Sequence, residues 1–167
     1  MAVIPALGDQ ERLTSDQIKM ILKTTKNLSH KNLNKADLTE ANLVGVDLTE
    51  ANLSGAGLYE ADLRSANLSK ANLHQANLEE ADLRGANLTQ ANLREVNFTQ
   101  ANFRGANLSQ ANLTGTNLTQ AIFEEADLHG ADFEGADLKD ADFTNAKMDS
   151  VKNLDKAKNK DKAKGLK

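Results

Sequence analysis

Apolar residues return along this chain at every fifth position. From Leu28 to Met148 that step meets 25 residues, and each is Leu, Phe or Met with no insertion. The stretch Ala66 to Gln90, ANLSK ANLHQ ANLEE ADLRG ANLTQ, shows the five-residue word clearly. Two residues before the last 23 of these centres stands Ala in 20 cases, with Val46, Val96 and Thr116 as the departures. Between the small residue and the centre stands Asn or Asp, except at Gly57, Ile122 and Lys147 in those same words.

A period of five suits neither standard element. On an α-helix each step turns the centre by about 500°, scattering it around the axis, and on a flat strand an odd step alternates faces. Within one word, however, Ala and Leu lie two apart and share a face, as in a three-residue strand with Asn or Asp pointing away. The last two residues then turn a corner. Gly45, Gly55, Gly85, Gly105, Gly115, Gly130 and Gly135 fall at the second corner position, where a positive φ is easiest for glycine. Sides and corners wind into a coil. A small residue at each corner keeps the cross-section narrow while Leu fills the middle, so stacked coils share one continuous core.

A tandem array of A(N/D)LXX words resembles the pentapeptide-repeat family, and the likeness runs from about Leu28 to Ser150. It implies an all-β fold, a right-handed quadrilateral β-helix with four words, hence 20 residues, per coil. This pentapeptide-repeat solenoid would have about six coils and a short N-terminal capping helix. The organisation expected is an N-terminal segment with the helix over 1–26, the β-helix over 27–150 and a Lys-rich C-terminal tail over 151–167.

The helix is read from Thr14 onward. Thr14 is an N-cap candidate with Gln17 three residues on, and Ile18, Ile21 and Leu22 follow at helical spacing. Its expected role is to cover the raw apolar end of the solenoid, the alternative being a partner-binding helix. Residues 150–167 leave the register, because Leu154 falls outside the next word, and carry seven Lys against Asp155 and Asp161. They read as a solvated tail with Val151 and Leu154 folded over the last coil, the alternative being an anion-binding tail.

Charge and composition narrow the functions. The chain has no Cys, which removes disulfide and thiol chemistry, and no apolar run nears the ~18 residues of a membrane span. Residues 1–8, MAVIPALG, lack the basic start and apolar run of a signal peptide. The expectation is a soluble, cytoplasmic protein, or one of the thylakoid lumen or periplasm if a signal preceding residue 1 was removed. Residues 36–149 hold 19 acidic and 7 basic side chains, so the rod is acidic between basic ends.

With n and n+20 stacked about 4.8 Å apart, sequence becomes surface. Arg64, Arg84 and Arg104 form a column flanked by Asp62 and Asp82 and ending at Glu124. It is a candidate protein-contact stripe, since guanidinium suits bidentate capture of carboxylate or phosphate, or else a set of local pairs. Glu40, Glu60 and Glu80 form a candidate acidic stripe on the adjacent face, continued by Gln100 and Gln120. Phe103, Phe123 and Phe143 stack in the core of the Arg face, with Phe98 and Phe133 under two others; Ile122 points outward, as a contact point or covered by the tail.

Catalytic, cofactor and metal sites are not expected. Asp127, Asp132, Asp137 and Asp142 fall one on each face, His30, His74 and His129 sit apart, and no phosphate loop, zinc spacing or nucleophile elbow occurs. Direct nucleic-acid binding is not expected of an acidic rod whose one aromatic outside the core is Tyr59. The leading reading is a non-enzymatic scaffold presenting flat stacked faces to a protein partner, with a dimer left open. The family resemblance adds two alternatives. One is a DNA-mimicking inhibitor or protector of a type II topoisomerase, DNA gyrase. The other is a regulatory or stress protein of cyanobacterial type, which the opening IKMILKTTKNLSHKNL resembles.

Overall fold

The computed structural model describes residues 11–166, so the reading of residues 1–8 lies outside the described residues. Every rung joins parallel partners 20 residues apart through the body of the chain, from Arg12 with Asn32 to Asp132 with Lys152. Four five-residue words therefore close one coil, and the fold is the expected four-sided β-helix. Each side contributes a single rung per coil because only three residues are extended before the chain turns.

The word forms this shape because it satisfies all five of its amides. In the word centred on Leu68, Ala66 N–H donates to Leu63 C=O at 3.0 Å and closes the corner, while Asn67 N–H reaches Val46 C=O of the previous coil at 3.0 Å. Leu68 N–H and Lys70 N–H donate to the next coil at Asn87 C=O and Thr89 C=O, 2.6 and 2.9 Å away. The remaining amide, on Ser69, has no backbone acceptor and donates to the Asn67 side-chain Oδ1 at 3.1 Å. This is why Asn or Asp recurs before the centre: the bond it makes two residues on is that of an Asx turn. It repeats on every side, for instance Thr39 to Asp37, Thr99 to Asn97 and Thr144 to Asp142. Uncharged columns gain a second bond, since Asn92 Nδ2 donates down to Asn72 Oδ1 at 2.9 Å.

Corners impose a positive φ on the residue two after each centre, from His30 at +57° to Ser150 at +56°. Seven of the 25 are the glycines anticipated. At the others, among them Glu60, Gln90 and Glu125, a side chain accepts the left-handed conformation at roughly 1–2 kcal/mol each. The corner amide bond, two inter-coil bonds flanking it and the buried core outweigh that cost.

The core is continuous. The Leu and Phe centres from Leu28 to Phe143 are buried, and so are the corner alanines from Ala51 to Ala141. Thr116, the one buried polar side chain among the described residues, donates its hydroxyl to Leu113 C=O at 2.7 Å. Phe103, Phe123 and Phe143 stack with centroids 4.7 and 4.9 Å apart, and Phe98 and Phe133 meet them edge-on.

Helix α1, Ser15–Thr24, covers the first coil as anticipated. Thr14 and Gln17 exchange backbone-to-side-chain bonds in a capping box, Ile18 and Ile21 are buried, and Lys26 at φ +52° ends it. The array starts earlier than Leu28, with Leu13 one coil before Leu33, because Leu13 N–H donates to Asn32 C=O at 2.9 Å and Leu13 is buried. Leu13 stands fifteen residues before Leu28 and so keeps the register.

The far end corrects the expectation of a solvated tail, although Val151 and Leu154 do pack over the last coil as expected. Lys152, Lys158 and Lys164 form rungs with Asp132, Asp137 and Asp142, at separations of 20, 21 and 22 residues. The words have lengthened to six, VKNLDK and AKNKDK, each with a short 3-10 turn at Leu154–Lys156 and Lys160–Lys162. Asn153, Asn159 and Gly165, each directly after a rung lysine, take the left-handed conformation, and Val151, Leu154 and Leu166 pack against the core.

Candidate protein-contact surface

The flat sides present their second and fourth columns outward, so the chemistry of each face is set by which charges stack. On the Arg face the guanidinium groups turn sideways into their own words. Arg64 donates through Nε and Nη2 to the two carboxylate oxygens of Asp62 at 2.8 and 2.6 Å, and Arg84 does the same to Asp82 at 2.9 and 2.6 Å. Arg64 Nε also lies 3.8 Å from Asp82 Oδ2, bracing two stacked carboxylates. Arg104 has Asn102 in place of Asp and reaches Glu125 Oε1 at 3.1 Å and Glu124 Oε2 at 3.9 Å. The Arg64 hydrogen bonds hold Asp62 below the ordinary carboxylate value. Burial alone raises Asp82, but the bonds from Arg84 outweigh it and the net shift is again downward.

The acidic corner is built differently. Glu40, Glu60 and Glu80 stand exposed at φ of +54°, +53° and +59°, and none has an ion-pair partner among the described residues. A neighbouring corner shows the contrast: Glu50 lies 3.4 Å from His30 Nδ1 and 3.7 Å from Lys70 Nζ. Tyr59 and Glu79 precede Glu60 and Glu80 on the same side and enlarge the patch. The phenol of Tyr59 is pushed up to about 12, first by its hydrogen bond to Glu60, then by burial and the charges of Glu60, Glu80 and Glu79. Sequence reasoning placed Tyr59 outside the core without joining it to this corner, although its place beside Glu60 was there to read.

Asp127, Asp132, Asp137 and Asp142 occupy the four sides of one coil, each forming a rung with a lysine: Lys147, Lys152, Lys158 and Lys164. Lys147 approaches Asp127 at 3.7 Å and Lys164 approaches Asp142 at 2.7 Å, while Asn153 and Asn159 donate to Asp132 and Asp137 at 2.8 and 2.7 Å. Among the described residues no three His, Cys, Asp or Glu side chains are placed to hold a metal ion. Ile122 is a half-buried rung between Asn102 and Asp142. A groove between α1 and the first coil is lined by Ile18, Lys19, Leu22, Leu38 and Ala41.

Among the described residues no helix is long and apolar enough to cross a membrane. No curated protein matches the chain. Among solved structures, one similar chain is HetL from the cyanobacterium Nostoc sp. strain PCC 7120, a pentapeptide repeat protein involved in heterocyst differentiation regulation. It is 31% identical over 79% of this chain and 73% of its own, with a TM-score of 0.43. A pentapeptide repeat protein of the Arabidopsis thaliana thylakoid lumen is 31% identical over 71% and 72%, with a TM-score of 0.47. QnrB1, a plasmid-mediated fluoroquinolone resistance protein, is 17% identical over 75% and 88%, with a TM-score of 0.42. The family described as Pentapeptide repeats matches in eight copies lying between residues 27 and 152. With four words to the coil and one amide in five satisfied by the recurring Asn or Asp, the chain belongs to the pentapeptide-repeat family and has its right-handed quadrilateral β-helix.

Proposed function

We propose that the protein is a non-enzymatic scaffold that holds a protein partner against its flat sides, with the corner of Glu40, Glu60 and Glu80 as the contact stripe. The observation that carries this reading is the difference in pairing between the two candidate stripes. Arg64 and Arg84 are committed to Asp62 and Asp82, and Arg104 to Glu124 and Glu125, so we assign the Arg64, Arg84 and Arg104 column to pairing within the chain. The three glutamates, beside Tyr59 and Glu79, have no cationic partner among the described residues, Glu60 being met only by the neutral Tyr59 phenol, and stand on a stacked ladder. A partner with lysines or arginines in matching register loses little entropy in meeting them. Replacing Glu40, Glu60 and Glu80 together by Gln tests it: binding to the partner captured by the wild type should be lost and the melting temperature kept. Binding that survives this change, or that is lost only with Arg64, Arg84 and Arg104 changed to Gln, overturns the assignment.

A second reading, DNA mimicry at gyrase, is favoured by the excess of 19 acidic over 7 basic side chains between residues 36 and 149. It requires inhibition of gyrase supercoiling that weakens as salt rises and disappears in the same triple glutamate variant. Absence of inhibition at micromolar protein removes it.

A further inference from the structure

One glycine of the array is required by neither its backbone nor its surroundings. Gly57 stands in a rung column that runs Asp37, Gly57, Asn77, Asn97, Asn117, Asp137. It lies outside the left-handed region that the corner glycines occupy, and a Cβ added there would meet nothing nearer than Thr39 Oγ1 at 3.7 Å and Asp37 Oδ1 at 3.9 Å, both ordinary contacts. Asn would therefore fit, and glycine loses more backbone freedom on folding.

The side chain missing at this rung leaves three polar groups facing one gap. The Tyr59 amide, which an Asx turn would cap, has no acceptor among the described residues. Asn77 accepts from the Glu79 amide and from Asn97 Nδ2, each at 3.2 Å, but its own Nδ2 meets no acceptor among the described residues. Below the gap, Asp37 accepts from the Thr39 amide at 3.1 Å and has no ion-pair partner among the described residues. That backbone bond, and then the Thr39 side chain, hold its carboxyl below the ordinary value. Asp37 and Asn77 are both exposed. Asn72, in the rung column of the adjoining side, shows what the gap lacks. Its Oδ1 accepts from His74 N–H at 3.2 Å and from Asn92 Nδ2 at 2.9 Å, while its Nδ2 donates to Asn52 Oδ1 at 3.4 Å.

We infer that the gap at Gly57 receives the side-chain carboxamide of an Asn or Gln from the protein partner, which completes the ladder in trans. The inference rests on the reading that a partner lies against the side bearing Tyr59 and the glutamate corner. A carboxamide carries both an acceptor for Tyr59 N–H and Asn77 Nδ2 and a donor for Asp37. A carboxylate brings charge against Asp37, Glu60 and Glu79, and an ammonium or guanidinium offers the two donors no acceptor. A hydroxyl, acting through one atom, does not bridge Asp37 and Asn77, which stand two ladder steps or roughly 9.6 Å apart. The gap opens beside the groove of Ile18, Lys19, Leu22, Leu38 and Ala41, whose wall includes Asp37 and Thr39, so an apolar residue next to the carboxamide finds a seat. Its use is register. Glu40, Glu60 and Glu80 repeat at equal steps and let a basic partner slip by one coil, whereas Gly57 is the one glycine in a rung position and fixes where the partner stops.

The experiment follows the isotope-labelled 167-residue chain by NMR during titration with N-acetyl-asparagine N-methylamide. Saturable shifts are expected at the Tyr59 amide and the Asn77 side-chain NH2, and not with the aspartate or leucine analogues. Gly57→Asn supplies the carboxamide in cis. It should abolish the response, melt at least ~2 °C above Gly57→Ala, and bind the partner captured by the wild type at least tenfold more weakly. The variant with Glu40, Glu60 and Glu80 changed to Gln should keep the NMR response, so failure of the stripe and failure of the gap are told apart: partner binding in that variant reports on the stripe, and the response reports on the gap. The inference is overturned if Tyr59 and Asn77 do not respond or respond equally to the leucine analogue, as a gap filled by water alone would, if Gly57→Asn is no more stable than Gly57→Ala, or if it binds the partner as the wild type does.

Discussion

Replacing Phe123 by Leu removes the middle ring of a three-ring stack and leaves the rest of its column intact. The column runs Leu43, Leu63, Leu83, Phe103, Phe123, Phe143, so Leu is already accepted at the equivalent place in three coils. Phe123 is fully buried and lies 4.7 Å from Phe103 and 4.9 Å from Phe143, with ring planes within 3° of parallel. An aromatic pair contributes about 0.5–1.5 kcal/mol beyond the area it buries. Two pairs are lost, so Phe123→Leu should cost about 1–3 kcal/mol, most of the burial being kept by Leu. Phe123→Ala adds the cavity and should cost about 3–5 kcal/mol. For a chain of this size each kcal/mol lowers the melting temperature by ~2–4 °C, so the two variants should separate clearly in circular-dichroism melts. The decisive measurement is a double-mutant cycle with Phe103→Leu, in which a coupling of about 0.5–1.5 kcal/mol is expected. Strictly additive losses would refute the stacked column as a source of stability.

Further outcomes follow from the corners and the charges. Gly105→Ala places a methyl in open space at φ +65° and should cost roughly 1 kcal/mol, whereas at Gly165, φ +81°, a Cβ comes within 2.7 Å of the Phe143 and Thr144 backbone. Gly165→Ala should therefore free the last side, with faster hydrogen exchange at Lys164, and unchanged exchange there would contradict the close approach. Asp62, Asp82, Asp127 and Asp142 all titrate below the ordinary carboxylate value in the fold. The stability they supply is present above about pH 4 and is lost as pH falls through their folded values, so melting temperature should hold from about pH 5 to 7 and drop below about pH 4. A melt independent of pH down to about pH 2 would count against these pairs. Tyr59 is the one tyrosine, and there is no tryptophan, so phenolate absorbance reports it alone. Its titration near 12 should move down toward the ordinary tyrosine range in Glu60→Gln with Glu80→Gln, and an unmoved titration would show that the corner is not the cause.

The fold was legible because the word repeats without a slip, and each of its positions has one physical duty. Ala fits the corner, Leu fills the middle, and Asn or Asp supplies the acceptor for the amide that the ladder leaves over. Where the duty changed hands the sequence was harder to read. Leu13 keeps the register, but α1 stands between it and Leu28, and the intervening words are absent. In the last coil the period moves from five to six while Lys160 takes a position that elsewhere is apolar, which hides the repeat behind a charge run. Spacing of Ala157 and Ala163, and of Lys152, Lys158 and Lys164, was nevertheless six throughout. The sequence left the Arg column open between a contact stripe and a set of local pairs, and the structure shows Arg64 and Arg84 paired with Asp62 and Asp82. Columns follow from n and n+20, but whether Arg64 reaches sideways to Asp62 or outward to solvent depends on rotamers that a period does not fix.

The Arg column has its origin in a difference between Asn and Asp that the ladder magnifies. An Asn in the rung position accepts from its own word and donates to the Asn stacked below, as Asn92 does to Asn72 and Asn87 to Asn67. An ionised Asp makes the first bond and has nothing to donate, so two in succession stack charge on charge about 4.8 Å apart. Asp62 and Asp82 are such a pair, and Arg64 and Arg84 stand in the following column with bidentate bonds to them. When the rung returns to Asn at Asn102, Arg104 is released from this duty and turns to Glu125 instead. The terminal coil answers the same problem with other residues, placing lysines and the amides of Asn153 and Asn159 over the ring of four aspartates. Asp62, Asp82 and the ring of four aspartates are thus met by cations or amides from within the chain, whereas Glu40, Glu60 and Glu80 stand at corners, outside the rungs, and have no cationic partner among the described residues. A column's unspent charge, and not its sign count, marks where an oppositely charged partner gains most, which is why the glutamate corner takes precedence over the arginines in our proposal.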